Sequence, residues 1–346
     1  VRSYVARILE KLIGKLSEAS LAVAKQPKAH ISLFFILSQL LEIAMRDRNR
    51  ETQAHALRAA QEISALKIGA APISAVLPGI LSTCGRIILG DYKQGQDVFV
   101  QAFKLISTAV VTAMNDEENA TLEPETAFDG ASALDRLRSL QKSMSSKSSS
   151  SSTSSPSISQ TSTKKKDEKP TMPSAQRDAT WFKNAAYHVH LMLSRLFAVS
   201  RLTTDETSRN ISMSTIIVKS PPVRLEMARA AAAILSHCRR TLVTTLPSLF
   251  EILVLLSFDD QPEIAEFCEA QLKANTAFFG VFEQTQLRAL FAENLAKLVA
   301  SLPRIMRDPE DNKKLLILRL TAGYVRILGK HFSSTLPSLC FALINL

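Results

Sequence analysis

The word TLPSL occurs at residues 245–249 and again at residues 335–339. The match extends further, because the leucines at 246, 249, 253 and 256 each have a leucine ninety residues later. At the start of a helix, Thr can accept hydrogen bonds from free backbone N–H groups, and Pro in the first turn loses no intrahelical bond. The four leucines then form one apolar stripe. Each copy therefore predicts the start of a helix with a buried face, and the Leu-Pro pairs at 77–78 and 302–303 predict two more.

An offset of ninety residues equals two units of about 45, which is the length of a two-helix HEAT or armadillo repeat. Three stretches between 220 and 275 have the helical spacing of apolar residues: SPPVRLEMARAAAAILSHC, TLPSLFEILVLLSFDD and PEIAEFCEAQLKAN. Asp259 and Asp260 lie in the predicted turn before the third, and the opening VRSYVARILEKLIGKL resembles the first. We predict an all-α protein, a HEAT/armadillo-like α-solenoid of stacked antiparallel helix pairs that offers a long curved surface.

The middle of the chain differs in composition from both ends. At 143–174 the sequence SMSSKSSSSSTSSPSISQTSTKKKDEKPTMPS has almost no residue to bury, so ordering it would cost backbone entropy without apolar compensation. We predict HEAT-like helical blocks at 1–114 and 178–346, separated at 115–177 by an acidic, then Ser/Lys-rich and largely disordered linker.

Two parts of this linker have more than one possible interpretation. ASALDRLRSLQK at 131–142 is either a short amphipathic helix or a fraying extension of the linker. TKKKDEKP at 163–170 could be a nuclear-import signal, a segment regulated by kinases at the neighbouring serines, or solubilising charge.

Charge and cysteine content favour some function classes over others. The net charge of +10 favours acidic partners, but aromatics make up only 6% of the chain and no zinc-finger or RNP-type motif accompanies the arginines. The cysteines are far apart without a CxxC pair, so we predict small core residues rather than a zinc site or disulfides: Cys84, Cys238, Cys268 and Cys340. The chain starts at Val1 without Met and stops within an apolar pattern, so we expect a part of a longer, soluble intracellular protein.

We assign no residue of the sequence to catalysis or metal binding. His188 and His190 are two residues apart, which on a helix directs them about 200° apart and away from a common metal. GDYKQG at 90–95 has P-loop glycine spacing but lacks the Lys-Ser/Thr that must follow. We interpret it as a turn between a helix at 77–89 and one from about Gln94 to Met114. No enzymatic activity, metal or cofactor is expected.

Several blocks of the chain resemble a known family. They are VLPGILSTCGRIILGDYKQGQDVFVQAFKLISTAVVTAMND at 76–116, QRDATWFKNAAYHVHLMLSRLF at 176–197, VRLEMARAAAAILSHCRRTLVTTLPSLFEILVLLSFDD at 223–260 and LLILRLTAGYVRILG at 315–329. In residues and order these blocks resemble the Tel-two-interacting protein one family, the large HEAT-repeat subunit of the TTT (Triple-T) co-chaperone complex. The resemblance covers most of both helical blocks, and the Ser-rich insert lies outside it.

The resemblance implies a non-enzymatic scaffold. Such a scaffold joins the other two TTT subunits and, with an Hsp-ninety-type chaperone, supports folding, stability and assembly of the phosphatidylinositol-kinase-related kinases, including the TOR and DNA-damage kinases. We also expect a cytoplasmic protein, with the nucleus as a further location, and neither membrane nor nucleic acid as partner. The candidate residues for protein interaction are Tyr92, Lys93, Trp181, Phe182, Arg239 and Arg240.

Two other classes of helical-repeat protein fit the same periodicity. A karyopherin-like transport adaptor is a HEAT superhelix with a broadly acidic inner surface, which the charge of +10 argues against. A HEAT subunit bound to DNA or RNA would place arginines on phosphates, and its affinity would fall steeply with salt.

Overall fold

The computed structural model describes residues 2–15, 22–23, 26–66, 68–89, 95–120, 177–197, 220–278, 281–307, 311–329, 336–337 and 340–341. Across these ranges the regular structure is helical, without a strand, which confirms the all-α prediction. The Ser-rich stretch and the rest of 121–176 lie outside the described residues.

The helices follow one another along the chain and are joined by short turns or by segments outside the described ranges. They are α1 (Arg2–Ile13), α2 (Pro27–Arg46), α3 (Arg50–Ala65), α4 (Ala70–Leu89), α5 (Gln96–Met114), α6 (Asp116–Asn119), α7 (Ala179–Leu196), α8 (Pro221–His237), α9 (Leu246–Leu256), α10 (Pro262–Phe278), α11 (Val281–Ile305) and α12 (Asp311–Leu328). A 3-10 turn, Val243–Thr245, precedes α9.

These helices stack in two layers. One layer runs α1, α3, α5, α8, α10, each packed on the next, and the other contains α2, α4 and α7, with α7 joined to α9 through the 3-10 turn. Helices α1, α3 and α5 begin at residues 2, 50 and 96, that is 48 and 46 residues apart. Helices α8, α10 and α12 begin at residues 221, 262 and 311, that is 41 and 49 residues apart. The two intervals together equal the ninety-residue offset found in the sequence. The helix pairs therefore form a solenoid with the predicted repeat length.

The two predicted helical blocks share one core. Helix α5 of the first block packs directly on α8 of the second, and buried residues from Leu37 to Leu328 form a single apolar cluster. Residues 115–120 and Arg177, which the sequence places in the linker, belong to this helical body.

The leucine stripe of the first TLPSL copy is buried as predicted. Helix α9 starts at Leu246 with Pro247 in its first turn, and Leu249 and Leu253 are fully buried. Burial extends to the other faces of α9, because α8, α10 and α12 all pack against it. The prediction that Thr245 caps the helix is wrong. Its hydroxyl forms no cap hydrogen bond and lies 3.2 Å from Nδ1 of His190 on α7.

The other two Leu-Pro pairs do not start helices. Pro78 lies inside α4, and Pro303 lies in the last turn of α11. Around Pro78, buried side chains such as Ile73, Leu77 and Ile80 keep helical spacing, so packing holds one continuous helix across the missing N–H. Helix α4 ends at Leu89 and α5 ends at Met114, as predicted.

Within the described ranges, three helical stretches are long and apolar enough to cross a bilayer by length and composition: Lys28–Arg46, Ala70–Leu89 and Gln96–Asn119. In the solenoid 50% of the second and 61% of the third are buried against other helices, compared with 22% of the first. The apolar residues of α4 and α5 are thus largely used in packing, while α2 keeps a more exposed face.

Candidate protein-interaction surface

A polar corner joins the end of α5 to the end of α8. The carboxylate of Asp116, at the start of α6, accepts hydrogen bonds from the backbone N–H groups of Arg240 and Thr241 at 3.0–3.1 Å. The hydroxyl of Thr241 donates to the carbonyl oxygen of Met114 at 2.7 Å. Because these partners lie more than 120 residues apart in sequence, the corner fixes α8 against the first half of the solenoid.

Arg177 attaches the start of α7 to the same corner. Its Nη2 donates to the carbonyl oxygen of Ala113 at 3.0 Å and to Oδ1 of Asn119, and its guanidinium lies 5.2 Å from the ring centroid of Trp181. The next residue, Asp178, caps α7 by accepting a hydrogen bond from the Trp181 N–H at 2.6 Å. Three of the eight residues in the motif RDATWFKN, namely Arg177, Asp178 and Trp181, thus anchor this helix.

Burial controls the ionisation of this corner. It lowers the pKa of the Arg177 guanidinium, an effect that the negative charge of Glu118 opposes. Burial also raises the pKa of the Cys238 thiol, with the nearby Asp116 carboxylate adding to the effect and a hydrogen bond to Thr241 opposing it. Cys238 therefore stays a neutral thiol and contributes packing rather than reactivity.

The turn between α9 and α10 binds two other helices. Asp259 forms two charge-assisted hydrogen bonds with Arg224 on α8, at 2.6 Å from Nε and 2.8 Å from Nη2. The Arg224 side chain is only 10% exposed and the Asp259 side chain only 5%. Its neighbour Asp260, 78% exposed, accepts a hydrogen bond from Arg319 on α12 at 2.6 Å. Two adjacent carboxylates thus hold α8 and α12 around one turn.

A buried acid links the last helices. Glu251 on α9 accepts a 2.6 Å hydrogen bond from the Tyr324 hydroxyl on α12, and Asn294 on α11 approaches the same oxygen at 3.5 Å. Burial raises the pKa of Tyr324 well above its usual value, and the neighbouring carboxylate adds to that rise. The phenol therefore remains a hydrogen-bond donor at neutral pH.

The predicted interaction residues lie in different environments. Trp181 is half-buried beneath Arg177, whereas Phe182 is a core residue with 7% of its surface exposed. Arg239 is half-buried and donates from Nε to the Leu235 carbonyl oxygen at 3.0 Å, and Arg240 is exposed. The corner thus brings Trp181 and Arg240 to the same end of α5. Tyr92 and Lys93 lie outside the described residues.

The cysteine prediction is confirmed at three positions and wrong at the fourth. Cys84, Cys238 and Cys268 are buried, and burial raises the pKa of Cys84 and of Cys268 to about 12 each. Cys340 is exposed.

Sequence reasoning missed the long-range contacts that shape this surface. Asp116, Asn119 and Arg177 were assigned to the linker, although they form the corner. Their one local signal is the spacing Asn-Asp-Glu-Glu at 115–118, which is a helix start in which Asn115 accepts a hydrogen bond from the Glu117 N–H.

Comparisons with known proteins agree on one family. The model of the family described as TTI1 N-terminal TPR domain matches residues 1–260, and that of the TELO2-interacting protein 1 homologue second TPR domain matches residues 291–344. Both descriptions use the term TPR, whereas the repeats here are longer than the 34 residues of a TPR unit. TPR units and the longer repeats of this chain both stack as antiparallel helix pairs into solenoids.

Two curated relatives extend this match. The TELO2-interacting protein 1 homologs of Mus musculus and Homo sapiens are each 23% identical, over 88% and 90% of the chain. The chain spans about a quarter of their length, 25% and 26%. A solved engineered protein aligns with 99% of the chain and 94% of its own at 14% identity, but the TM-score of 0.26 is too low to bear on the fold. With a family model matching most of its length, the chain belongs to the TELO2-interacting protein 1 family.

Proposed function

We propose that the chain is the helical-repeat part of a non-enzymatic scaffold in a TTT-like co-chaperone complex. In this role it binds a TELO2-type subunit and a third TTT subunit. With an Hsp-ninety-type chaperone, the assembly supports folding, stability and assembly of phosphatidylinositol-kinase-related kinases such as TOR and the DNA-damage kinases. Family membership supports the first part of this proposal, because the relatives carry TELO2 interaction in their name.

One structural observation carries the proposal: a single apolar core runs from α2 to α12 beneath a continuous two-layer surface. In a solenoid each repeat contacts only its neighbours, so its shape depends on the contacts between successive helices. Here the corner at Asp116 and the turn at Asp259 add charged and polar bonds between helices distant in sequence. A surface held in this way is preorganised, which lowers the entropic cost of binding a large partner.

The charge of the chain supports partners with acidic surfaces. A net charge of +10 raises encounter rates with anionic proteins and disfavours basic ones. We place the protein in the cytoplasm, with the nucleus as a further location, and imaging of a tagged chain tests this placement.

Affinity purification of the tagged chain, with mass spectrometry of the proteins recovered, tests the proposed function. We expect a TELO2-type protein, a third helical-repeat subunit and kinases of the stated class. A Leu253→Asp variant, which places a charge in the buried stripe, is the unfolded control and should recover none of them. Recovery of a Ran-type GTPase, or of nucleic acid with steep salt dependence, would instead support a transport adaptor or a nucleic-acid subunit.

A further inference from the structure

The helix pair α11 and α12 joins the rest of the solenoid along one seam. Within the described residues, α12 is the helix of this pair that packs along α9. The contacts run in opposite order on the two helices, because Tyr324 meets Glu251 and Gly323 meets Val254 further along α9. We call the contact of α12 with α9 and its flanks the α12 seam, and helices α1–α10 the body.

The centre of the α12 seam is apolar and close-packed. Gly323 lets the backbone of α12 lie directly on α9, since a Cβ at this position would overlap Val254 and lie 3.2 Å from the ring of Phe258. Beside it, Phe291 of α11 packs edge-on against Phe250 of α9, with ring centroids 5.3 Å apart. Packed helices can turn or slide on one another at a close contact of this kind, as they do in hinge and shear motions.

The two ends of the seam are held by ion pairs of one polarity. Arg319 donates to Asp260 at 2.6 Å, and Arg326 pairs with Glu269 of α10. Both cations belong to α12 and both carboxylates to the body, and seven residues, or about two helical turns, separate the cations. In each pair one side chain is more than half exposed, Asp260 at 78% and Arg326 at 51%. Dissolved salt therefore screens the attraction in both pairs.

The joint between α5 and α8 is built differently. There the Asp116 carboxylate accepts hydrogen bonds from the backbone N–H groups of Arg240 and Thr241, and the Thr241 hydroxyl donates to the Met114 carbonyl oxygen. These donors are neutral groups, and two of them are fixed in the backbone. Salt should therefore loosen the α12 seam before it loosens the α5–α8 joint.

The two family matches also divide the chain at this seam. The first ends at residue 260 and the second begins at residue 291, so α9 and α12 fall in different family domains. We infer that the α12 seam is a hinge of the solenoid: α11 and α12 turn together about the contact of Gly323 with Val254, and the ion pairs at Asp260 and Glu269 hold one setting. A hinge here changes the curvature of the surface whatever partner that surface binds, so the inference goes beyond the proposed function.

The first experiment measures distances across the hinge in the purified chain. Spin labels for pulsed electron paramagnetic resonance are attached at Ser236→Cys on α8 and Ala300→Cys on α11, both exposed, after the exposed Cys340 is replaced by Ser. The matched pair Ser38→Cys, Ser236→Cys spans the α5–α8 joint instead. Between about 0.1 M and about 1 M NaCl the Debye length falls from about 10 Å to about 3 Å. We expect a second 236–300 distance to appear over this range, while the 38–236 distance stays unchanged.

The second experiment reverses the charges at the seam. At about 0.1 M salt the double variant Arg319→Glu, Arg326→Glu should raise the population with the second 236–300 distance at least about threefold, because each attraction becomes a repulsion. Addition of Asp260→Arg and Glu269→Arg restores opposite charges in both pairs and should restore the parent distribution. Loss of side-chain packing alone would not be reversed in this way.

A matched control breaks ion pairs that do not cross the seam. The variant Arg46→Glu, Lys314→Glu breaks one pair within α2 and one within α12, and it should keep the parent distribution. Circular dichroism checks the helix content of every variant, and the salt titration decides the question with the labelled parent chain if a variant does not fold. Three results would overturn the inference: a 236–300 distance that does not respond to salt, an equal response of the 38–236 distance, and a charge-swapped variant that behaves like the double variant.

Discussion

Replacement of Asp259 by Ala should destabilise the second half of the solenoid strongly. The Asp259 carboxylate is 5% exposed and forms two hydrogen bonds with the Arg224 guanidinium, 10% exposed, at 2.6 and 2.8 Å. Removal of one partner from a buried ion pair leaves the other charge without its counterion and costs about 3–5 kcal/mol. For a helical body of this size, each kcal/mol lowers the melting temperature by about 2–4 °C. We therefore expect a decrease of roughly 6–20 °C, measured by circular dichroism and by urea unfolding.

The neighbouring carboxylate provides a matched control. Asp260 pairs with Arg319 at a similar distance of 2.6 Å, but its side chain is 78% exposed. Exposed pairs contribute about 0.2–1 kcal/mol, so Asp260→Ala should lower the melting temperature by no more than about 4 °C. The double variant Arg224→Met, Asp259→Ala should be more stable than Asp259→Ala alone, because the buried arginine charge is removed together with the Asp259 carboxylate. Equal effects of the two single Asp substitutions would refute the reasoning.

Four further predictions, with five substitutions, concern other contacts. Gly323→Ala should lower the free energy of unfolding, measured by urea titration, by about 1–3 kcal/mol, because the new methyl group would overlap a valine of α9. Gly79→Ala is the control: this position faces open space within α4, so the substitution should be neutral or stabilising. Leu253→Asp should abolish cooperative unfolding of α8–α10, seen as loss of the melting transition. Burial raises the pKa of Glu226, so the folded state holds this proton more tightly than the unfolded state, and the stability that this gives is lost as pH rises through the folded pKa. The Glu226→Gln variant should therefore become more stable relative to the parent chain as pH increases from 4 to 7. Asp116→Ala should increase hydrogen exchange at the end of α8 before the rest of the solenoid, and uniform exchange across both halves would argue against the corner as a local anchor.

The helices and their repeat length could be read from the sequence because both depend on local spacing. The ninety-residue offset between the TLPSL words corresponds to the observed starts of α8 and α12, and the buried leucines of α9 follow from their helical spacing. Proline positions were less informative. Pro78 lies within α4 because buried residues on both sides hold one helix, and this tertiary contribution is not encoded in the Leu-Pro pair itself.

The candidate surface was harder to predict because its contacts join residues far apart in the chain. Asp116 and Thr241 are 125 residues apart, and no periodicity relates them. Phe182 follows Trp181 in a motif that looks like an exposed aromatic pair, yet helix geometry turns it about 100° away and into the core.

The hydrogen bond between Asn119 and Arg177 has a consequence for how this chain tolerates changes in length. Ala120 and Arg177 border the 56 residues 121–176, and the hydrogen bond of Arg177 to Asn119 brings these two borders close together in the helical body. Closing a longer segment over fixed ends costs only about 0.6 kcal/mol for each doubling of its length. We therefore expect insertions or deletions between residues 120 and 177 to cost little stability and to leave the position of α7 in its layer unchanged.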